Sequence, residues 1–134
     1  MRDYQCKKMK EYLMPEAVYR QALWAARDIR RLTDKLSEVQ DRLGETVPSG
    51  SGYPSAGKIF GNDPTYDQAK EILNLSFRIE SIERAFNTVP EDFRAGIRRK
   101  FMYGDEYSIE YEETIWKRWQ QVFLYNVAVN LGIY

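Results

Sequence analysis

The sequence predicts an all-α fold: a long antiparallel helical hairpin over about 15–43 and 64–88, then a small helical unit over about 90–102 and 112–131. Three observations carry this. Two segments hold apolar residues at alternating three- and four-residue spacing, the pattern of a supercoiled helix pair. Prolines and glycines fall at segment ends, where helices start and stop. The last segment is apolar on more than one face, which places a helix at the centre of a core or in an interface.

The first helix opens at Pro15, whose missing N–H costs nothing in a first turn. Its stripe is Val18, Ala22, Ala25, Ile29, Leu32, Leu36, Val39 and Leu43, read as one continuous helix stopped by Gly44. The outer face carries Arg27, Arg30, Arg31, Asp34, Lys35, Glu38 and Asp41, a surface on which the arginines are expected to be solvated or to pair with Asp34 and Glu38. Residues 44–63, with five glycines and two prolines, are read as a flexible loop that Tyr53, Ile59 and Phe60 could pin to the domain.

Asp63-Pro64 reads as an N-cap followed by proline at the first helical position. The second stripe is Ile72, Leu75, Ile79, Ile82, Phe86 and Val89. Thr88-Val89-Pro90-Glu91 opens the third helix, with Thr88 as its cap and acids in its first turn. Phe93, Ile97 and Phe101 share one face, and Gly104-Asp105 ends it. The last helix begins near Glu112 or Thr114 and stops at Gly132. Residues 1–89 and 90–134 are thus two segments of what reads as one compact domain.

Composition narrows the function. The 134 residues contain no histidine, which removes the commonest general base, the commonest zinc ligand and the Ser-His and Cys-His nucleophile pairs. No Walker loop, GxGxxG, CxxC or HExxH is present. A non-enzyme with no catalytic residue, metal or cofactor is expected. The lone Cys6 excludes an internal disulfide, and MRDYQCKKMKEYLMPE holds no signal-peptide apolar stretch, so a cytoplasmic protein with no membrane span is expected. Net charge is zero but uneven. Residues 1–43 carry ten Lys/Arg and seven Asp/Glu, whereas residues 90–134 carry six and seven. Tyrosines gather late in the chain, at 103, 107, 111, 125 and 134, as in an interface that is apolar but not dry.

The stretch VPEDFRAGIRRKFMYGDEYS resembles the start of region four of RNA polymerase sigma factors, where a short helix ends in an aromatic-plus-glycine turn before a helix-turn-helix. With MPEAVYRQALWAARDIRRL, IESIERAF and TIWKRWQQVFLYNVAVNLGIY, most of the chain resembles phage and prophage sigma-like late-gene regulators of the RinA/ArpU type. The resemblance implies a transcription regulator that binds duplex DNA, RNA polymerase or both. It aligns Thr114–Gln121 with the start of the recognition helix. Thr114, Lys117, Arg118 and Gln121 become candidate DNA contacts, and Arg94, Arg98, Arg99 and Lys100 candidate phosphate contacts.

The spacing departs from that pattern. Ser108 and Thr114 are six positions apart. At about 1.5 Å per residue the span makes little more than one helical turn, too short for the supporting helix of the motif. Glu110, Glu112 and Glu113 would repel phosphates, yet they suit a helix N-terminus electrostatically. Trp116 and Trp119 read as core or interface residues, with Glu112 or Glu113 as partners for their N–H groups. The competing reading is therefore a non-catalytic interaction or oligomerisation module that has lost DNA binding. A homodimer would form through the heptad stripes or the aromatic C-terminal helix.

Overall fold

A computed structural model describes residues 4–46 and 64–134, with side chains for 4–43 and 66–134. The expected loop, with Tyr53, Ile59 and Phe60, and the expected cap at Asp63 lie outside the side chains described. The described residues form five α-helices and no strand: α1 (Glu16–Arg27), α2 (Ile29–Thr46), α3 (Pro64–Phe86), α4 (Glu91–Tyr103) and α5 (Glu113–Asn130). A single 3-10 turn over Lys10–Tyr12 precedes them. None of these helices is long and apolar enough to cross a membrane.

The predicted first helix is two helices. At Asp28 the chain leaves the regular ladder: its N–H is shared between the Trp24 and Ala25 carbonyls at 3.1 and 3.2 Å. Its carboxylate holds the Arg31 guanidinium through two bonds of 2.7 and 2.6 Å. Aspartate is a poor interior helix residue because its short side chain competes for nearby backbone groups. The heptad stripe runs straight through the break, with Ala26 and Ile29 fully buried on either side. The halves serve different neighbours: α1 packs on α5, and α2 packs on α3. The long hairpin is therefore reduced to its α2–α3 half. Gly44 does not stop α2, which continues to Thr46.

The other boundaries follow the punctuation. Pro64 is the first residue of α3, and Pro90 sits immediately before α4. Thr88 does not cap α4; its hydroxyl donates to the Ala85 carbonyl at 2.6 Å and closes the end of α3. Gly104 ends α4 with φ 73°, the left-handed conformation that glycine adopts without steric cost. There its N–H reaches the Lys100 carbonyl at 2.9 Å. Gly132 does the same after α5 with φ 75°.

α5 is the central element, contacting α1, α3, α4 and the 3-10 turn. Phe123 stacks on Phe86 of α3 at 4.4 Å between ring centroids and meets Phe101 of α4 at 5.0 Å. Leu124, Val127 and Ala128 are fully buried beside them. Both predicted stripes contribute to this same core, so they pair within the chain. Ser81, also fully buried, ties α3 to the end of α5: Asn130 donates to the Ser81 carbonyl at 3.0 Å.

The Trp116 indole of α5 lies against α4 at Gly96. A Cβ there would lie 2.5 and 2.7 Å from the outer carbons of the Trp116 indole. That ring cannot yield, because Tyr107 stacks on it at 4.7 Å and Phe93 meets its edge at 5.3 Å. Gly96→Ala is therefore expected to destabilise the protein. Overpacking costs about 1–3 kcal/mol, against roughly 1 kcal/mol gained by alanine over glycine in a helix. In a Trp116→Phe background, which lacks the clashing carbons, the same change should become neutral or stabilising. Urea denaturation of the four variants measures the coupling.

Candidate nucleic-acid interface

The eight residues suggested by the sigma-like pattern do not form one surface. On α5, Thr114 and Arg118 are exposed. Lys117 is half-buried, with its ammonium 3.9 Å from the Tyr4 ring centroid and 3.8 Å from Glu113. Gln121 is only 2% exposed. Its amide donates to the Tyr12 carbonyl at 2.6 Å and to Gln5 at 3.2 Å, and its oxygen accepts the Cys6 N–H at 3.4 Å. Gln5 in turn holds both backbone groups of Met14, each at 2.8 Å. The N-terminal segment thus folds over the second turn of α5, and Gln121 fastens it there. Gln121 is a structural residue, since a base edge cannot reach it.

On α4 the four cations also divide. Arg94 donates to the Val89 carbonyl at 3.0 and 3.2 Å and to the Asn87 carbonyl at 3.4 Å, covering the turn between α3 and α4. Arg98 forms a two-pronged ion pair with Glu83 at 2.8 and 2.5 Å and lies 4.5 Å over the Phe86 ring. Those hydrogen bonds raise its pKa above the ordinary guanidinium value. Arg99 is exposed but shares its pocket with Asp92, Asp105, Glu106 and Glu110. Lys100 is different: its ammonium lies 4.6 Å over the Tyr107 ring, and the residue also lines a groove with Arg27, Arg30 and Arg31.

That groove lies where the α1–α2 break meets the end of α4. Helical spacing puts Arg27, Arg30 and Arg31 on neighbouring positions of one face. Two aromatic rings orient them. Arg27 lies 5.1 Å over Trp24, and Arg30 lies 5.4 Å over Tyr103. Both rings are 61% exposed. Arg31 is held by Asp28, not by the predicted Asp34, and this hydrogen bonding, with the opposite charge, raises its pKa. Asp34 is the one acid lining the groove itself. The adjoining cleft toward α5 shares Arg27 and Lys100 with the groove and adds Asp105, Glu106 and Glu113. Four cations against one described acid favour an anion on the α1–α2 side, whereas two cations against three acids favour it less on the α5 side. Sequence reading had each component, but the arginines and Lys100 are about 70 positions apart in the chain.

Residues 104–112 contain no helix. They cross to α5 as a loop pinned by Tyr107, stacked on Trp116, and by Tyr111, which packs on Phe93 at 4.6 Å. Trp116 donates its indole N–H to the Ser108 carbonyl at 3.0 Å, not to Glu112 or Glu113. Tyr107 donates to Gln120 at 2.5 Å. The supporting helix of a helix-turn-helix is absent, in agreement with the residue count, and most faces of α5 are covered. Comparisons with protein-family models, curated proteins and solved structures each returned no match.

The fastening role of Gln121 makes a separate prediction. Gln121→Leu keeps the volume but leaves the Tyr12 carbonyl and Cys6 N–H without their partner. The expected loss is about 1–3 kcal/mol, the usual cost of unsatisfied buried polar groups. Limited proteolysis should then cut between residues 5 and 14 faster than in the parent protein. Unchanged stability and cleavage would show that the segment is held by other contacts.

Proposed function

We propose that this chain is a non-catalytic helical regulator that holds duplex DNA by its phosphates on the basic face of α1, α2 and α4. What supports the reading is the convergence of Arg27, Arg30, Arg31 and Lys100 on one groove. Guanidinium groups bind phosphate through paired N–H donors, and two of them lie over the exposed rings of Trp24 and Tyr103. The sigma-like and phage assignment, and with it RNA polymerase as a partner, rests on the sequence resemblance. The recognition-helix role of Thr114–Gln121 is not part of this proposal, because α5 is a core helix whose exposed start is acidic.

Phosphate contacts without base contacts predict binding that is strongly salt-dependent and weakly sequence-selective. Fluorescence anisotropy on a mixed-sequence duplex at about 50 mM salt should show binding, with a log–log salt slope of about −3 to −4 for three or four neutralised phosphates. Arg30→Glu and Lys100→Glu should each weaken it by roughly tenfold, since a repulsive contact replaces an attractive one. Arg118→Glu and Thr114→Val should change it little. No binding at micromolar protein, or sensitivity confined to Arg118, would refute the proposal. The runner-up reading, an interaction module, is favoured by the exposed Leu73 and Phe77 on α3.

A further inference from the structure

The outer face of α3 carries an ordered series that no contact among the described residues explains. Tyr66, Lys70, Leu73, Phe77, Glu80 and Arg84 are all exposed. Their spacings are 4, 3, 4, 3 and 4, a second heptad seam on the side of the helix opposite Leu75 and Ile82, which enter the core. Leu73 is 72% and Phe77 50% exposed, so the centre of the seam is apolar and open to water. Among the described residues, none of the ion pairs uses Lys70, Glu80 or Arg84, although Glu80 and Arg84 are one turn apart. The last turn of α5 borders the seam at Ser81 and leaves these six residues uncovered.

We infer that this seam pairs with the same seam of a second copy of the chain, antiparallel, about a two-fold axis beside residue 75. The order of the residues selects that occupant. Turned end for end against itself, the series sets Leu73 opposite the second copy's Phe77, Lys70 opposite its Glu80, and Tyr66 opposite its Arg84. Every layer is complementary: apolar on apolar, cation on carboxylate, ring on guanidinium. Each occurs twice, as a two-fold interface requires. Parallel pairing would instead set Lys70 against Lys70, Glu80 against Glu80 and Arg84 against Arg84, so the charges also exclude the wrong orientation. From Tyr66 to Arg84 the seam is about 27 Å long at 1.5 Å per residue, enough for five turns of contact. This dimer differs from one built on the predicted stripes, because those stripes are consumed by the chain's own core. It does not depend on DNA binding.

Sedimentation velocity of the full chain across a concentration series tests it. The parent should pass from monomer to dimer as concentration rises. Lys70→Glu or Glu80→Lys alone places like charges in two layers and should weaken the dimer at least about tenfold. The double variant Lys70→Glu/Glu80→Lys restores opposite charges between copies and should recover most of the loss. Residues 70 and 80 are about 15 Å apart along one helix, so rescue within a chain has no route. Leu73→Asp should give a monomer with unchanged helicity and a melting temperature that no longer rises with concentration, as the parent's does once it dimerises, since this side chain is outside the core of a single copy. A parent that is monomeric at every concentration overturns the inference. So does a dimer indifferent to Leu73→Asp, or one in which the charge swap fails to rescue.

Discussion

Phe123 and its neighbours on α5 face three helices at once, and the rest of the molecule is arranged by that demand. The aromatic ring lies between Phe86 of α3 and Phe101 of α4, while α1 covers another side of the same helix. A large buried aromatic side chain contributes about 1.5–3 kcal/mol through area alone, and ring contacts add to that. No two-helix hairpin can supply three neighbours. The chain therefore has to bring α1 away from α2's partner, and the break at Asp28 does this without interrupting the apolar stripe.

The same demand decides what α5 can do. A DNA-reading helix needs a free face over several turns. α5 has Thr114 and Arg118 exposed at its start; beyond them Gln121 is covered by the N-terminal segment, and Val129 near the far end is the next exposed residue. The glutamates that precede it stabilise the helix start and make the same end unfavourable for phosphate. The loop at 104–112 is held by rings packed around Trp116, so it cannot be recast as a supporting helix without dismantling the α4–α5 contact at Gly96. Of the four residues that the sigma-like pattern assigns to reading DNA, this fold packs Gln121 and half-buries Lys117.

Helix ends were legible because they have local causes. Pro64, Pro90, Gly104 and Gly132 each act on the one or two residues beside them, and the structure places the ends there. The apolar character of α5 likewise pointed to a central helix. The break at Asp28 was not legible, because periodicity reports which face is buried and is blind to which neighbour buries it. Gln121 was misread for a related reason. A glutamine at helical spacing from Thr114, Lys117 and Arg118 looks like part of a polar face; only the return of residues 5–14 makes it internal. Thr88 shows the limit of cap signatures, since the same hydroxyl can close the preceding helix as readily as it opens the next.

The arginines of the α1–α2 junction had a bland expectation as a solvated face, and composition alone gave no reason to revise it. Their significance comes from what the fold brings to them. Lys100 arrives from α4, and Trp24 and Tyr103 each lie under one of the guanidinium groups. The acids of the neighbouring cleft then sharpen the groove by opposing any anion that drifts toward α5. Charge in this protein is thus partitioned by helix packing: cations gather at the break that the core requires, and carboxylates collect at the start of the helix the core surrounds. A zero net charge conceals this separation, and the basic face exists only once the chain is folded.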